Sequence, residues 1–216
     1  MLLSVLVGVV HAANAHTPFA NLYWEVNDGG GWTRTQLTTT QQNVQVRLAA
    51  EWGGMDAYAF GGTQFDGVIQ TIDANDNVSN LHRPLPFNFI SQTLAVSQFG
   101  NLIKLDSSRD IELPGLGSGW LDCSQSADFG GQIDPSNPVV IFRYDLQLSA
   151  NAGMRHISSV SRSLPGPPPY NTRLLTLTGE SIRIQAEIFA VDVMFVPAPG
   201  TLALLGCSVA VLRRRR

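Results

Sequence analysis

The segment Val139-Val140-Ile141-Phe142-Arg143-Tyr144-Asp145-Leu146-Gln147-Leu148 decides the fold class. It opens as an apolar run and closes in alternation, with Arg143, Asp145 and Gln147 set between Phe142, Tyr144, Leu146 and Leu148. A period of two belongs to a β-strand with one face buried and the other in water. Val44-Gln45-Val46-Arg47-Leu48 repeats the pattern. So does Ile182-Arg183-Ile184-Gln185-Ala186-Glu187-Ile188, with Arg183, Gln185 and Glu187 on one face. Outward from these, further strands are expected at Leu22–Val26, Ala57–Phe60, Gly67–Ile72, Phe87–Val96, Leu102–Leu105, Met154–Ser161 and Arg173–Thr178. Turn chemistry separates them at Asp28-Gly29-Gly30-Gly31, Trp52-Gly53-Gly54, Gly61-Gly62, Asp73–Asn77 and Pro165-Gly166-Pro167-Pro168-Pro169. No stretch carries a sustained 3.6-residue apolar stripe, and no unit repeats at 20–50 residues. The expected body, residues 16–195, is therefore all-β: an antiparallel β-sandwich, Ig-like or jelly-roll-like. Its last strand, Ser181 to Phe195, is expected to be long and central.

Charge and cysteine content narrow the function classes. Charged residues are 14% of the 216. Without Arg213, Arg214, Arg215 and Arg216, 10 of the 14 basic residues remain against 17 acidic ones, a net charge of about −7. An acidic body argues against nucleic acid, because phosphate binding draws on Lys and Arg. Of the two cysteines, Cys207 lies in the apolar C-terminal stretch, so Cys123 is the body's single thiol. Stability must come from a core, which ~180 residues can build.

The two ends carry processing chemistry. An apolar run from Leu2 to Val10 is followed by small residues ending Ala13-Asn14-Ala15. That is the order of a secretory signal with an A-x-A cleavage site, although no Lys or Arg precedes the run. Cleavage after Ala15 would leave His16 first. At the other end, Val196-Pro197-Ala198-Pro199-Gly200 leads into Thr201-Leu202-Ala203-Leu204-Leu205-Gly206-Cys207-Ser208-Val209-Ala210-Val211-Leu212 and then four arginines. Pro197 and Pro199 break the preceding element. The apolar stretch, as a helix, would rise about 18 Å against a hydrocarbon core of ~30 Å. Arg213 to Arg216 would hold its end on the cytoplasmic side.

These C-terminal residues resemble a known signal. Pro-x-Pro-Gly-Thr, a Leu/Ala/Gly-rich stretch and a terminal Arg cluster look like the PEP-CTERM sorting domain, over residues 196–216. The family's name-giving Glu is replaced here by Ala198. The resemblance implies a short transmembrane sorting helix, an exosortase and the export machinery as partners, and a Gram-negative host that makes exopolysaccharide. It also implies a membrane-inserted precursor destined for the cell surface, outer membrane or extracellular matrix.

The body offers little catalytic chemistry. Asp73-Ala74-Asn75-Asp76-Asn77 has oxygen ligands at alternate positions, but Val78 stands where a calcium loop needs Gly and Pro84 where it needs Glu. A hairpin tip between Ile72 and Leu81 is the expectation. His16, His82 and His156 have no second His or Cys at metal-ligand spacing, so no metal is expected. Gly117-Ser118-Gly119 lacks the spacing of a nucleophile elbow. Cys123 follows Asp122 in a Gly-rich stretch with no adjacent base, which suits a packed side chain better than a nucleophile. No glycine pattern cradles phosphate, and Pro165–Pro169 suits a polyproline II loop. Trp24, Trp32, Trp52 and Trp120 are expected chiefly in the core. Trp52 and Trp120, next to glycines, are the candidate ligand-stacking residues. The expectation is thus a non-enzymatic, cofactor-free surface protein, sorted by an exosortase and associated with exopolysaccharide. A carbohydrate-binding module is the alternative and a secreted hydrolase, with facing carboxylates across a cleft, the second.

Overall fold

The structure is a computed structural model that describes residues 17–87, 94–107, 121–125, 133–161 and 170–198. Every regular element among them is a strand. In chain order they are β1 (Phe19–Asn27), β2 (Gln36–Thr39), β3 (Asn43–Gly53), β4 (Ala59–Gln70), β5 (Asn77–His82), β6 (Leu94–Phe99) and β7 (Leu102–Ser107). There follow β8 (Leu121–Ser124), β9 (Val139–Gln147), β10 (Gly153–Ser161), β11 (Thr172–Leu175), β12 (Ser181–Ile184), β13 (Glu187–Phe189) and β14 (Val191–Phe195). One sheet runs β13-β1-β3-β9-β5. The other runs β12-β11-β4-β10-β14-β2, with β7 and β8 also paired to β4 and β6 to β7.

The period-two pattern sets which face each strand buries. Ala20, Leu22, Trp24 and Val26 of β1 point inward with Val44, Val46, Leu48 and Ala50 of β3 and Phe142, Tyr144 and Leu146 of β9. Phe65, Ile69, Ile157, Val191 and Val193 meet them from the second sheet. Trp24 pins the two layers. Its ring sits edge-on to Phe65, Phe142 and Tyr144 with centroids 5.9–6.3 Å away. Its indole Nε1 donates to Ser159 Oγ on β10 at 2.7 Å, so the buried N–H is satisfied across the sandwich.

The sandwich differs from the sequence expectation in four places. The sheets are mixed: β1 pairs with β13 and β14 with β2 in parallel, so the expected purely antiparallel arrangement is corrected. Gly61-Gly62 is not a turn but lies inside the twelve-residue β4, two residues from its start. A Cβ on Gly62, at φ +147°, would stand 2.6 Å from the Cys123 carbonyl oxygen, so glycine lets β8 approach. Asp73–Asp76 is not a hairpin tip, because β4 and β5 lie in different sheets and these residues carry the chain between them. Finally, the long terminal strand is broken into β12, β13 and β14. Asn171 captures the backbone of Ala186 (Ala186 N to Oδ1 at 2.7 Å, Nδ2 to Ala186 O at 3.0 Å), and the chain changes sheet there.

The crossover is held by a buried ion pair. Arg155, on the inward face of β10, donates from Nε and Nη2 to the two carboxylate oxygens of Asp76, each at 3.0 Å. Nη2 also reaches Ser149 Oγ at 2.8 Å, and Nη1 reaches the carbonyls of Asn151 and Gly153. Asp76 accepts a further hydrogen bond from Ser149 N. Two buried charges with this many partners are compensated in place.

Candidate functional site

The outer face of the five-stranded sheet gathers the most elaborate side-chain arrangement outside the core. Odd-numbered residues of β1 and β3 point out of the sandwich, and ladder register lays them in rows across the strands. One row reads Phe189, Tyr23, Ala49, Val140. The next reads Glu25, Arg47, Arg143, His82. The third reads Asn27, Gln45, Asp145, Ser79.

The turn after β1 brings two more residues onto this face. Asn27 Oδ1 accepts from Gly29 N at 2.7 Å and Gly31 N at 3.0 Å, and Gly29 and Gly31 take φ of 108° and 127°. Only glycine holds that backbone readily. Thr33 then folds back on Val26 through two backbone hydrogen bonds of 3.0 Å, and Trp32 and Arg34 come to lie beside β1.

Glu25 is the keystone. It stands on the solvent side of its sheet yet is 3% exposed, because Arg34 and Arg47 cover it. Arg34 Nε donates to Oε1 at 2.7 Å and Arg47 Nε to Oε2 at 2.5 Å. Arg34 Nη1 also donates to Glu51 Oε1 at 2.5 Å. Burial works against the Arg34 charge, but hydrogen bonds and attraction from Glu25 and Glu51 outweigh it and hold its pKa above the ordinary value. Each guanidinium lies over a ring: Arg34 4.2 Å from the Tyr23 centroid, Arg47 4.0 Å from that of Trp32. Tyr23 in turn stacks on Phe189 at 4.9 Å and 13°. Phe189 and Trp32 remain 39% and 38% exposed.

Beyond Arg47 the face dips into a groove of about 570 Å³, lined among others by Trp32, Gln45, Asn80, His82, Arg143 and Asp145. Asn80 takes a positive φ of 54° in an irregular stretch of β5 and donates from Nδ2 to Asp145 Oδ2 at 2.6 Å. The irregularity also blunts the sheet edge.

The residues singled out from sequence fall elsewhere. Trp52 points inward with Val44 and Ala50, is 8% exposed, and donates from Nε1 to Ser136 O at 3.3 Å. A ring so placed cannot offer a stacking platform, and among the described residues the exposed tryptophan is Trp32. Trp120 lies outside the described residues, as do Ala13, Ala15, Pro199, Gly200, the apolar stretch after them and Arg213 to Arg216. Pro197 and Ala198 follow β14 without regular structure, after Val196 N donates to Thr39 O at 2.9 Å. No helix among the described residues is long and apolar enough to cross a membrane.

Cys123 is buried in β8. His156 pairs with Asp192 at 2.7 Å on the outside of the second sheet. Asp73 accepts from Asn75 N at 2.8 Å and from Asn151 Nδ2, and these hydrogen bonds hold its carboxyl below its ordinary value. Among the described residues no three His, Cys, Asp or Glu are placed to hold a metal ion. The buried carboxylates Glu25, Asp66 and Asp76 each face a basic side chain.

No protein-family model matches the chain, and no curated protein does. Among solved structures the chain is similar to the seventh ScaB type I cohesin of Pseudobacteroides cellulosolvens, at 9% identity over 83% of this chain and 94% of that one, with a TM-score of 0.48. It is similar to the Coh-OlpA-Doc918 type I cohesin–dockerin complex of Clostridium thermocellum, at 9% identity, 82% and 99% coverage and a TM-score of 0.45. A non-cellulosomal cohesin of Archaeoglobus fulgidus gives 10%, 86%, 96% and 0.41. These matches correct the functional expectation. The three structures named are cohesin modules, the second of them in complex with a dockerin, where the sequence reading expected an exosortase-sorted surface protein. At these values no partner and no site residue is carried over.

Proposed function

We propose that this chain is a non-catalytic binding module that docks a protein partner on the outer face of its five-stranded sheet, outside the cytoplasm. The observation that carries this is the preassembled ridge Phe189–Tyr23–Arg34–Glu25–Arg47–Trp32. Binding energy at protein interfaces concentrates in Trp, Tyr and Arg side chains that are held in place. Here the two guanidinium groups are fixed between Glu25 and an aromatic ring, so little side-chain freedom is left to lose on association. Structural need does not account for the ridge, because the sandwich core lies on the opposite side of the same strands. The secretory pattern at Leu2–Ala15 supports the location.

A photo-crosslinking residue placed at Phe189 of the full chain tests the docking face, with Leu177, 78% exposed on the turn before β12, as the control site. In the extracellular fraction of the source culture, position 189 is expected to give one discrete protein adduct and position 177 none. Trp32→Ala in the same chain is expected to remove that adduct. Equal labelling at both positions, no labelling, or an adduct indifferent to Trp32→Ala would each overturn the proposal.

A further inference from the structure

We infer that the partner seats a carboxylate side chain on Arg143, in the groove between Trp32 and His82. This deepens the docking face proposed above and rests on it. The cross-strand row Glu25, Arg47, Arg143, His82 places one carboxylate against two arginines and a histidine. Glu25 is spent: its two oxygens are taken by Arg34 and Arg47. Glu51 is engaged by Arg34. The remaining acid near the groove, Asp145, is held by Asn80 at 2.6 Å.

Arg143 is thus left exposed directly opposite Arg47, and among the described residues it has no ion pair. Like charges facing each other across a ladder destabilise the sheet. A row that keeps them is poised for an anion from outside. The chain as a whole carries a net charge of −3, so this row runs against the sign of the molecule. A guanidinium presents a planar fork that a carboxylate meets with two parallel hydrogen bonds. The indole of Trp32 forms one wall, and a groove of about 570 Å³ has room for the residues on either side of the acid.

The test is a titration of the full, ¹⁵N-labelled chain with two peptides, Ac-Leu-Glu-Leu-NH₂ and Ac-Leu-Gln-Leu-NH₂, and with inorganic sulfate at matched ionic strength. The Trp32 indole N–H and the Arg143 Nε–H resonances are the readout. The glutamate peptide is expected to shift both saturably, with at least roughly tenfold tighter binding than the glutamine peptide, as loss of a charge-assisted bidentate pair implies. Arg143→Gln is expected to abolish the difference and Arg143→Lys to keep part of it. Equal binding of both peptides, or a difference that survives Arg143→Gln, would overturn the assignment. Tighter saturation by sulfate would overturn it in favour of a tetrahedral anion. The adduct at position 189 reads the docking face separately, so its presence beside a failed titration rejects only the carboxylate, and its absence rejects the face.

Discussion

Tyr144 shows how one atom can be left unresolved inside an otherwise well-matched interior. Its ring packs against Trp24 and Phe142, but its hydroxyl is buried with no hydrogen-bond partner among the described residues. Burial pushes its pKa well above the usual tyrosine value. Removing an unpaired buried hydroxyl relieves a desolvation cost, so Tyr144→Phe is expected to leave stability unchanged or raise it by about 1 kcal/mol. The pH sign follows from the raised folded pKa. Below about 10 the ring is neutral in both states. Above that, the unfolded chain ionises first, and stability falls as pH rises toward the folded pKa. Tyr144→Phe should flatten that alkaline limb, measured as urea midpoints from pH 8 to 11. A clear loss of stability at neutral pH would show instead that the hydroxyl is hydrogen-bonded.

At the scale of the element, the crossover Thr71–Asp76 is the part whose role could not be read locally. Its oxygen-rich composition suggests a turn or a cation loop, yet Asp76 is turned inward to receive Arg155. The guanidinium supplies the positive charge that the loop chemistry invites. Asp76→Ala would leave Arg155 buried and uncompensated, and is expected to destabilise the fold by about 3–5 kcal/mol, read from chemical denaturation. A loss below about 1 kcal/mol would mean that the pair is not closed in solution. The stretches that alternate, Val44–Leu48 of β3 and Phe142–Leu146 of β9, are legible from sequence because their burial there is one-sided. β2 escaped because four residues, Gln36 to Thr39, carry too little pattern, and the terminal stretch misled because its alternation, Ile182 to Ile188, runs on through the change of sheet between β12 and β13.

For the molecule as a whole, the two layers and their outer faces are unequal. One layer is a five-stranded sheet whose solvent side bears the Arg–aromatic ridge, and the other is larger and carries the buried Asp66–Lys104 pair at 3.9 Å. The proposed location outside the cytoplasm requires export. Mass spectrometry of the surface fraction is expected to find the mature chain starting at His16, cleaved after Ala13-Asn14-Ala15. Recovery of intact chain from the cytoplasm alone, with Met1 or Leu2 first, would refute export.

What the sequence settled by itself was the β class, the inward faces of β3 and of the second half of β9, and the burial of Trp24, because a period of two records locally which side each residue takes. What only tertiary structure decided was which strands are neighbours. Glu25, Arg47, Arg143 and His82 are separated by 22, 96 and 61 positions, yet form one row. Their charges say nothing of one another along the chain. Only ladder register, fixed by packing of the opposite faces, brings them to a common surface and leaves Arg143 with charge to spare.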